Sequence, residues 1–83
     1  MQEIRILGVL VKNTGTQAKN VQQILTKYGC SIRTRLGLHE VEENCTDCGL
    51  ILLELTGDIQ ESLRLENELS AVEGVQVQKM LFY

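Results

Sequence analysis

Proline is absent from this chain, and no low-complexity stretch or linker interrupts it. Nothing in the composition therefore divides the 83 residues, and residues 1–83 read as a single domain. Basic residues do not cluster, and the formal net charge is −3. That balance argues against nucleic-acid binding by the chain itself, because phosphate contacts need a concentrated positive field. Three cysteines are an odd number and too few for a disulfide scaffold, which points to a reducing, cytoplasmic setting. The apolar run Ile4–Val11 is too short to span a membrane and lacks the cleavage context of a signal peptide. There is one histidine, His39.

A domain of this size buries only about 60–65% of the surface its unfolded chain exposes. Oligomerisation, a metal or disulfides commonly supply the missing stability. The pattern along the chain reads as two half-repeats. Ile4 to Lys12 is an apolar, β-prone run. Asn13-Thr14-Gly15-Thr16 is turn chemistry, and Thr14 with Gln17 has capping-box spacing. Ala18, Val21, Leu25 and Tyr28 follow at helical spacing, with Ile24 widening the stripe and Gly29 placed to end it. Cys30 to His39 alternates as a strand: Cys30, Ile32, Thr34, Leu36 and Leu38 share one side, and Ser31, Arg33, Arg35, Gly37 and His39 the other. Leu50 to Leu55 is a further strand. Asp58 with Glu61 gives a second capping-box signal. Ile59, Leu63, Leu65, Leu69 and Val72 form a helical stripe ended at Gly74, and Val75 to Phe82 is the last strand.

The order β-α-β-β-α-β predicts an α+β, ferredoxin-like sandwich, with an antiparallel sheet ordered 4-1-3-2 and two helices on one face. In that topology the first two strands run parallel and finish at one end of the molecule. The Asn13–Thr16 turn and the His39–Cys48 loop should meet there. The first strand is apolar on both sides, with Ile4, Ile6 and Leu10 against Leu7, Val9 and Val11. The third repeats this, with Ile51, Leu53 and Leu55 against Leu50 and Leu52. Helices cover only one face, so the other predicts self-association as a homodimer or homotetramer. Arg33 and Arg35 would rim that interface or remain solvated edge charges.

Cys45-Thr46-Asp47-Cys48-Gly49 is the strongest chemical signal. Two thiols three apart can hold one side of a metal ion, but a structural zinc wants four ligands. His39, Cys30 or a second copy could supply the rest, and thiolate with imidazole favours zinc, iron or nickel. The alternatives are a redox disulfide or small residues filling a hairpin loop. Cys30 alternates toward the apolar side and reads as core. Glu40, Glu42 and Glu43 read as a solvated loop or as added oxygen ligands. Asn13, Thr14, Gly15 and Thr16 serve either as turn and cap or as contacts to a small ligand. No positioned acid–base pair is visible, so the chain reads as a non-enzyme. Acylphosphatases share the architecture but hold phosphate with an arginine at the first loop, where this chain has only Lys12. Metallochaperones of the same plan keep their C-x-x-C in that loop.

Leu55 to Val75, with Thr56-Gly57-Asp58 and Glu73-Gly74-Val75, resembles the C-terminal domain of the nickel-responsive repressor NikR. Arg35-Leu36-Gly37 with Glu42-Glu43-Asn44 is similar to the small stand-alone proteins named as regulators of the iron-only hydrogenase system. Val11-Lys12-Asn13, the following helix and Gly29 also resemble ACT domains, which bind small ligands where subunits meet. These resemblances imply a regulatory or sensor domain responsive to a metal or small ligand. The alternative is a structural module that docks on a protein partner. The NikR likeness implies nickel ligands at His39 and at Cys45 or Cys48. Gly37 stands where that family has another strand histidine, and the NikR DNA-binding segment is absent, so its nickel site is not intact here. The ACT turn is one residue short at Asn13-Thr14-Gly15. The charge balance predicts that the isolated chain gives no sequence-specific gel shift at physiological salt. A shift at sub-micromolar protein would overturn that reading.

Overall fold

The computed structural model describes residues 3–12, 14–39 and 49–83, with residues 14–16, 38 and 39 described in backbone only. Strand β1 spans Ile4–Val11, helix α1 Thr14–Lys27, strand β2 Ile32–His39, strand β3 Gly49–Leu55, helix α2 Ile59–Ser70 and strand β4 Val75–Phe82. The four strands form one antiparallel sheet in the order β2-β3-β1-β4. This is the ferredoxin-like arrangement and strand order that the sequence pattern predicts.

The alternation in β1 sends Leu7, Val9 and Val11 to the helix side, where all three are buried. Leu53 and Leu55 of β3 join them. From α1 come Val21, Leu25 and Tyr28, and from α2 Leu65 and Leu69, so one core fills the space between sheet and helices. The helix-side stripe on α2 differs from the sequence expectation at its start. Ile59 is half-exposed, and the turn is closed instead by the buried Ser62. Asp58 caps α2 as expected, its carboxylate accepting from the Gln60 amide at 2.9 Å. Glu61 does not complete a capping box; it pairs with Arg64 one turn along, at 3.2 Å.

Three local expectations are corrected. Helix α1 already begins at Thr14, so Thr14 is a helical residue and not the cap that its spacing with Gln17 suggests. The helix ends at Lys27, and Gly29 opens a short 3₁₀ turn, Gly29–Ser31, rather than serving as a left-handed cap. Cys30 sits in that turn and is exposed, so it is not a core residue. Tight 3₁₀ winding replaces strand alternation here, and Ser31 is the buried residue, its carbonyl accepting from the Thr56 amide at 2.8 Å.

The alternation assigned to β2 also breaks. Ile32 pairs with Leu55, but Thr34 pairs with Glu54, so Arg33 is the extra residue of a bulge. Ile32 thereby turns toward the helix-side core, while Thr34 and Leu36 stay in register with the opposite face. Arg35 shares the helix side with Leu53 and donates to Gln22 of α1 at 2.7 Å, so it does not rim the free face.

Charge flanks α2 on two sides, toward β1 and β4 through Glu66 and toward α1 through Glu68. Arg5, buried on the helix side of β1, reaches Glu3 at 2.7 Å and Glu66 of α2 at 3.2 Å, and Lys79 of β4 meets Glu66 at 3.3 Å. A buried guanidinium is tolerable only when paired in this way. On the side toward α1 the Tyr28 hydroxyl donates to Glu68, and Lys27 donates to both Glu68 oxygens at 3.1 and 3.3 Å. The Tyr28 bond first, and the Lys27 bond second, hold the Glu68 carboxyl below the usual carboxylate range, while burial opposes them. The hydrogen bond to Glu68 also raises the Tyr28 phenol, and Lys27's own hydrogen bond to Glu68 is the main cause raising its ammonium. A carboxyl lowered in the folded state stabilises it above the unfolded pKa, and that contribution is lost as pH falls through the folded value.

Leu53→Ala should cost about 2–5 kcal/mol through transfer and cavity terms. Leu36→Ala, on the opposite face, should change stability by no more than about 0.5 kcal/mol in dilute, unassociated protein. Urea unfolding of both variants checks the contrast, and equal losses would contradict this assignment of faces.

Candidate functional site

Strand register decides which candidate residues lie together. Val11, at the end of β1, pairs with Gly49 on one side and Val75 on the other. His39, at the end of β2, also pairs with Gly49. The ends of β1 and β2, the starts of β3 and β4, and the first turn of α1 therefore share one end of the molecule. His39 and Val11 flank β3, so two strand spacings, about 10 Å, separate their backbones. Thr14, Gly15 and Thr16 are the first three residues of α1. No acidic residue occupies that first turn, whose free N–H groups favour an anion or a polar ligand atom.

The candidate metal ligands are only partly placed. His39 closes β2, and Gly49, which follows Cys48 in the sequence, is its register partner. Cys45, Cys48, Glu40, Glu42, Glu43 and Asn13 lie outside the described residues. Cys30 belongs to the 3₁₀ turn before β2, a full strand length from His39, so the fold does not bring it to that end. Among the described residues, no three His, Cys, Asp or Glu side chains converge as a ligand group.

The β1–α1 connection is tethered. The Lys12 amide donates to the Gly74 carbonyl at 2.9 Å. Gly74 has φ +80°, and a Cβ there would lie 3.1 Å from the Lys12 carbonyl oxygen. Glycine is required on both counts, since a side chain would meet left-handed strain and backbone crowding. This contact fixes where the chain leaves β1 for Asn13–Thr16. Sequence reading used Gly74 as a helix terminator and within the Glu73-Gly74-Val75 resemblance; neither carries a hint of the partner at Lys12.

The second candidate surface is the sheet face away from the helices. Across the strands it reads in register as Phe82–Ile4, then Met80–Ile6–Glu54–Thr34, then Gln78–Gly8–Leu52–Leu36, then Gln76–Leu10–Leu50. Ile4, Leu36, Met80 and Phe82 are each about half exposed, at 46–52%. Isolated apolar residues on a surface are ordinary, but a continuous set on one flat face marks an interaction surface. At the end opposite His39, a cleft of about 590 Å³ opens between the starts of β1 and α2, with Arg33, Ser62 and Tyr83 in its wall. The bulge that places Arg33 there was not visible in the sequence.

Comparison with known proteins follows this geometry. A family model described as "TM1266-like: Iron-only hydrogenase system regulator, putative" matches residues 3–79. The uncharacterized protein TM1266 from Thermotoga maritima has a similar structure, with a TM-score of 0.84, 23% identity, and coverage of 99% of this chain and 100% of that one. The ACT domain from GTP pyrophosphokinase of Chlorobium tepidum is similar at a TM-score of 0.70 and 14% identity, covering 93% and 96%. CPII, a nitrogen regulatory PII-like protein from Thiomonas intermedia K12, is similar at a TM-score of 0.61 and 11% identity, covering 99% and 94%. No curated protein matches the sequence. Among the described residues, no helix is long and apolar enough to cross a membrane.

Gly74→Ala should cost about 1–3 kcal/mol, the usual scale of forced left-handed backbone strain. It should also reduce hydrogen-exchange protection of the Lys12 amide. Unchanged protection at Lys12 would show that the glycine does not set the tether.

Proposed function

The chain belongs to the TM1266-like family of iron-only hydrogenase system regulators, and from that premise we propose that it is a homo-oligomeric regulatory domain and not an enzyme. Its ferredoxin-like fold is shared with ACT and PII-like domains. The observation that carries the oligomeric part is the free face of the sheet. Strands β1 and β3 are covered by helices on one side and present Ile6, Leu10, Leu50 and Leu52 on the other. A second copy is the simplest cover for such a face, as a homodimer or within a homotetramer.

The sensing part of the proposal rests on the shared strand end. A metal held by Cys45 and Cys48, completed by His39 or by the same residues of another copy, would link the β2–β3 connection to the sheet. The donor set suits zinc, iron or nickel. Asn13, Thr14, Gly15 and Thr16 would contact a small ligand at the same end, with their approach set by the Lys12–Gly74 tether. The protein would act in the cytoplasm through a protein partner, since its charge gives it no independent hold on DNA.

Native mass spectrometry of protein purified without chelator tests both parts. The expected result is a dimer or tetramer mass carrying zinc, nickel or iron, with the metal lost and the assembly kept in Cys45→Ser/Cys48→Ser. A wild-type monomer at tens of micromolar would remove the oligomeric reading. Metal uptake no greater than that of the double-serine variant would remove the metal reading.

A further inference from the structure

The free face is not uniformly apolar, and its pattern constrains how a second copy can sit on it. One apolar corner is formed by Phe82, Ile4, Met80 and Ile6 at the β4 side. The diagonally opposite corner is formed by Leu36, Leu52 and Leu50 toward β2. The remaining two corners are polar: Gln76 and Gln78 on β4, and Glu54 with Thr34 on β3 and β2. An apolar band therefore crosses the sheet diagonally, with Gly8, the residue without a side chain, near its middle. Among the described residues whose register places them on this face, Glu54 is the one that ionises.

Two copies meeting face to face are related by a two-fold axis lying between the sheets. An axis perpendicular to the band sets Glu54 against its own copy, two carboxylates in a desolvating interface. An axis along the strands sets Glu54 on Ile6, and an axis across them sets it on Leu52. Each of these leaves a charge opposed or unpartnered. An axis along the band lays apolar band on apolar band and carries the Gln76–Gln78 corner onto the partner's Glu54–Thr34 corner. We propose that this chain dimerises through its free sheet face about an axis along that diagonal, with the Gln78 amide of each copy donating to Glu54 of the other.

The geometry is workable. Thr34 Oγ1 donates to Glu54 Oε1 at 2.9 Å, so the carboxylate is held at the surface with acceptor capacity to spare. A strand spacing near 4.8 Å and a two-residue repeat near 6.7 Å incline the band by roughly 35° to the strands. Strands of the two sheets then cross at roughly 70°, nearer the orthogonal packing class than the aligned one. The face measures about 15–20 Å by 25 Å, a flat footprint of about 375–500 Å², roughly half to two-thirds of the roughly 800 Å² of accessible surface per partner in a standard interface before side-chain relief is counted.

This inference rests on the homo-oligomeric reading, and sedimentation equilibrium separates the two. Wild type should dimerise. Gln78→Glu should weaken the dimer by at least about tenfold by placing a carboxylate opposite Glu54. Glu54→Gln added to Gln78→Glu should restore wild-type association, and Gln78→Lys should not weaken it. Gln78 is solvent-exposed, so these variants fold, which circular dichroism checks. A wild-type dimer indifferent to Gln78→Glu, or one that Glu54→Gln alone tightens about tenfold, would overturn the pairing and leave the oligomer intact. A wild-type monomer would overturn both.

Discussion

Strand β1 lies between β3 and β4 and is apolar on both of its faces, while helices cover only one. Much of the molecule follows from that asymmetry. The covered side carries Leu7, Val9 and Val11 into the core, and the helices are positioned by the need to bury them. The uncovered side leaves a flat face on which Ile4, Leu36, Met80 and Phe82 stand about half exposed. A chain of this length has little surplus core, so the hydrophobic area on the second face is a reserve of stabilisation that association would draw on.

The element order, the strand order and the helix-facing residues of β1 and β3 were legible in the sequence, because long runs of period-two and helical alternation are strong signals. Strand β2 was not. Arg33-Thr34-Arg35 offers no apolar contrast with which to detect a shift of phase, so the bulge shows only through the pairing of Ile32 with Leu55 and of Thr34 with Glu54. Cys30 was misassigned for the same reason, since an alternation extended two residues too far back carried it to the wrong side. The burial of Arg5 was equally hidden: its partner Glu66 lies 61 residues away, and no local pattern announces so distant an ion pair.

The candidate site was legible as a location more than as a constellation. Topology alone puts the ends of β1 and β2 together, and the register agrees to the residue at Val11, Gly49 and His39. What the sequence does not encode locally is how a lone histidine and two thiols three apart would fill four positions around an ion. Closure of such a site depends on contacts between distant segments or between copies, which spacing cannot report.

His39 and Gly49 are already ladder partners when the chain leaves β2 and when it re-enters β3. The intervening residues 40–48 therefore join two points that the sheet itself holds together. Lengthening a connection of this kind costs only about 0.6 kcal/mol per doubling, and no strand need shift its register to admit an insertion. The sheet can thus act as a constant chassis beneath a segment free to change in length and composition. Related chains could exchange one set of donor atoms for another there, or dispense with them, without renegotiating the fold.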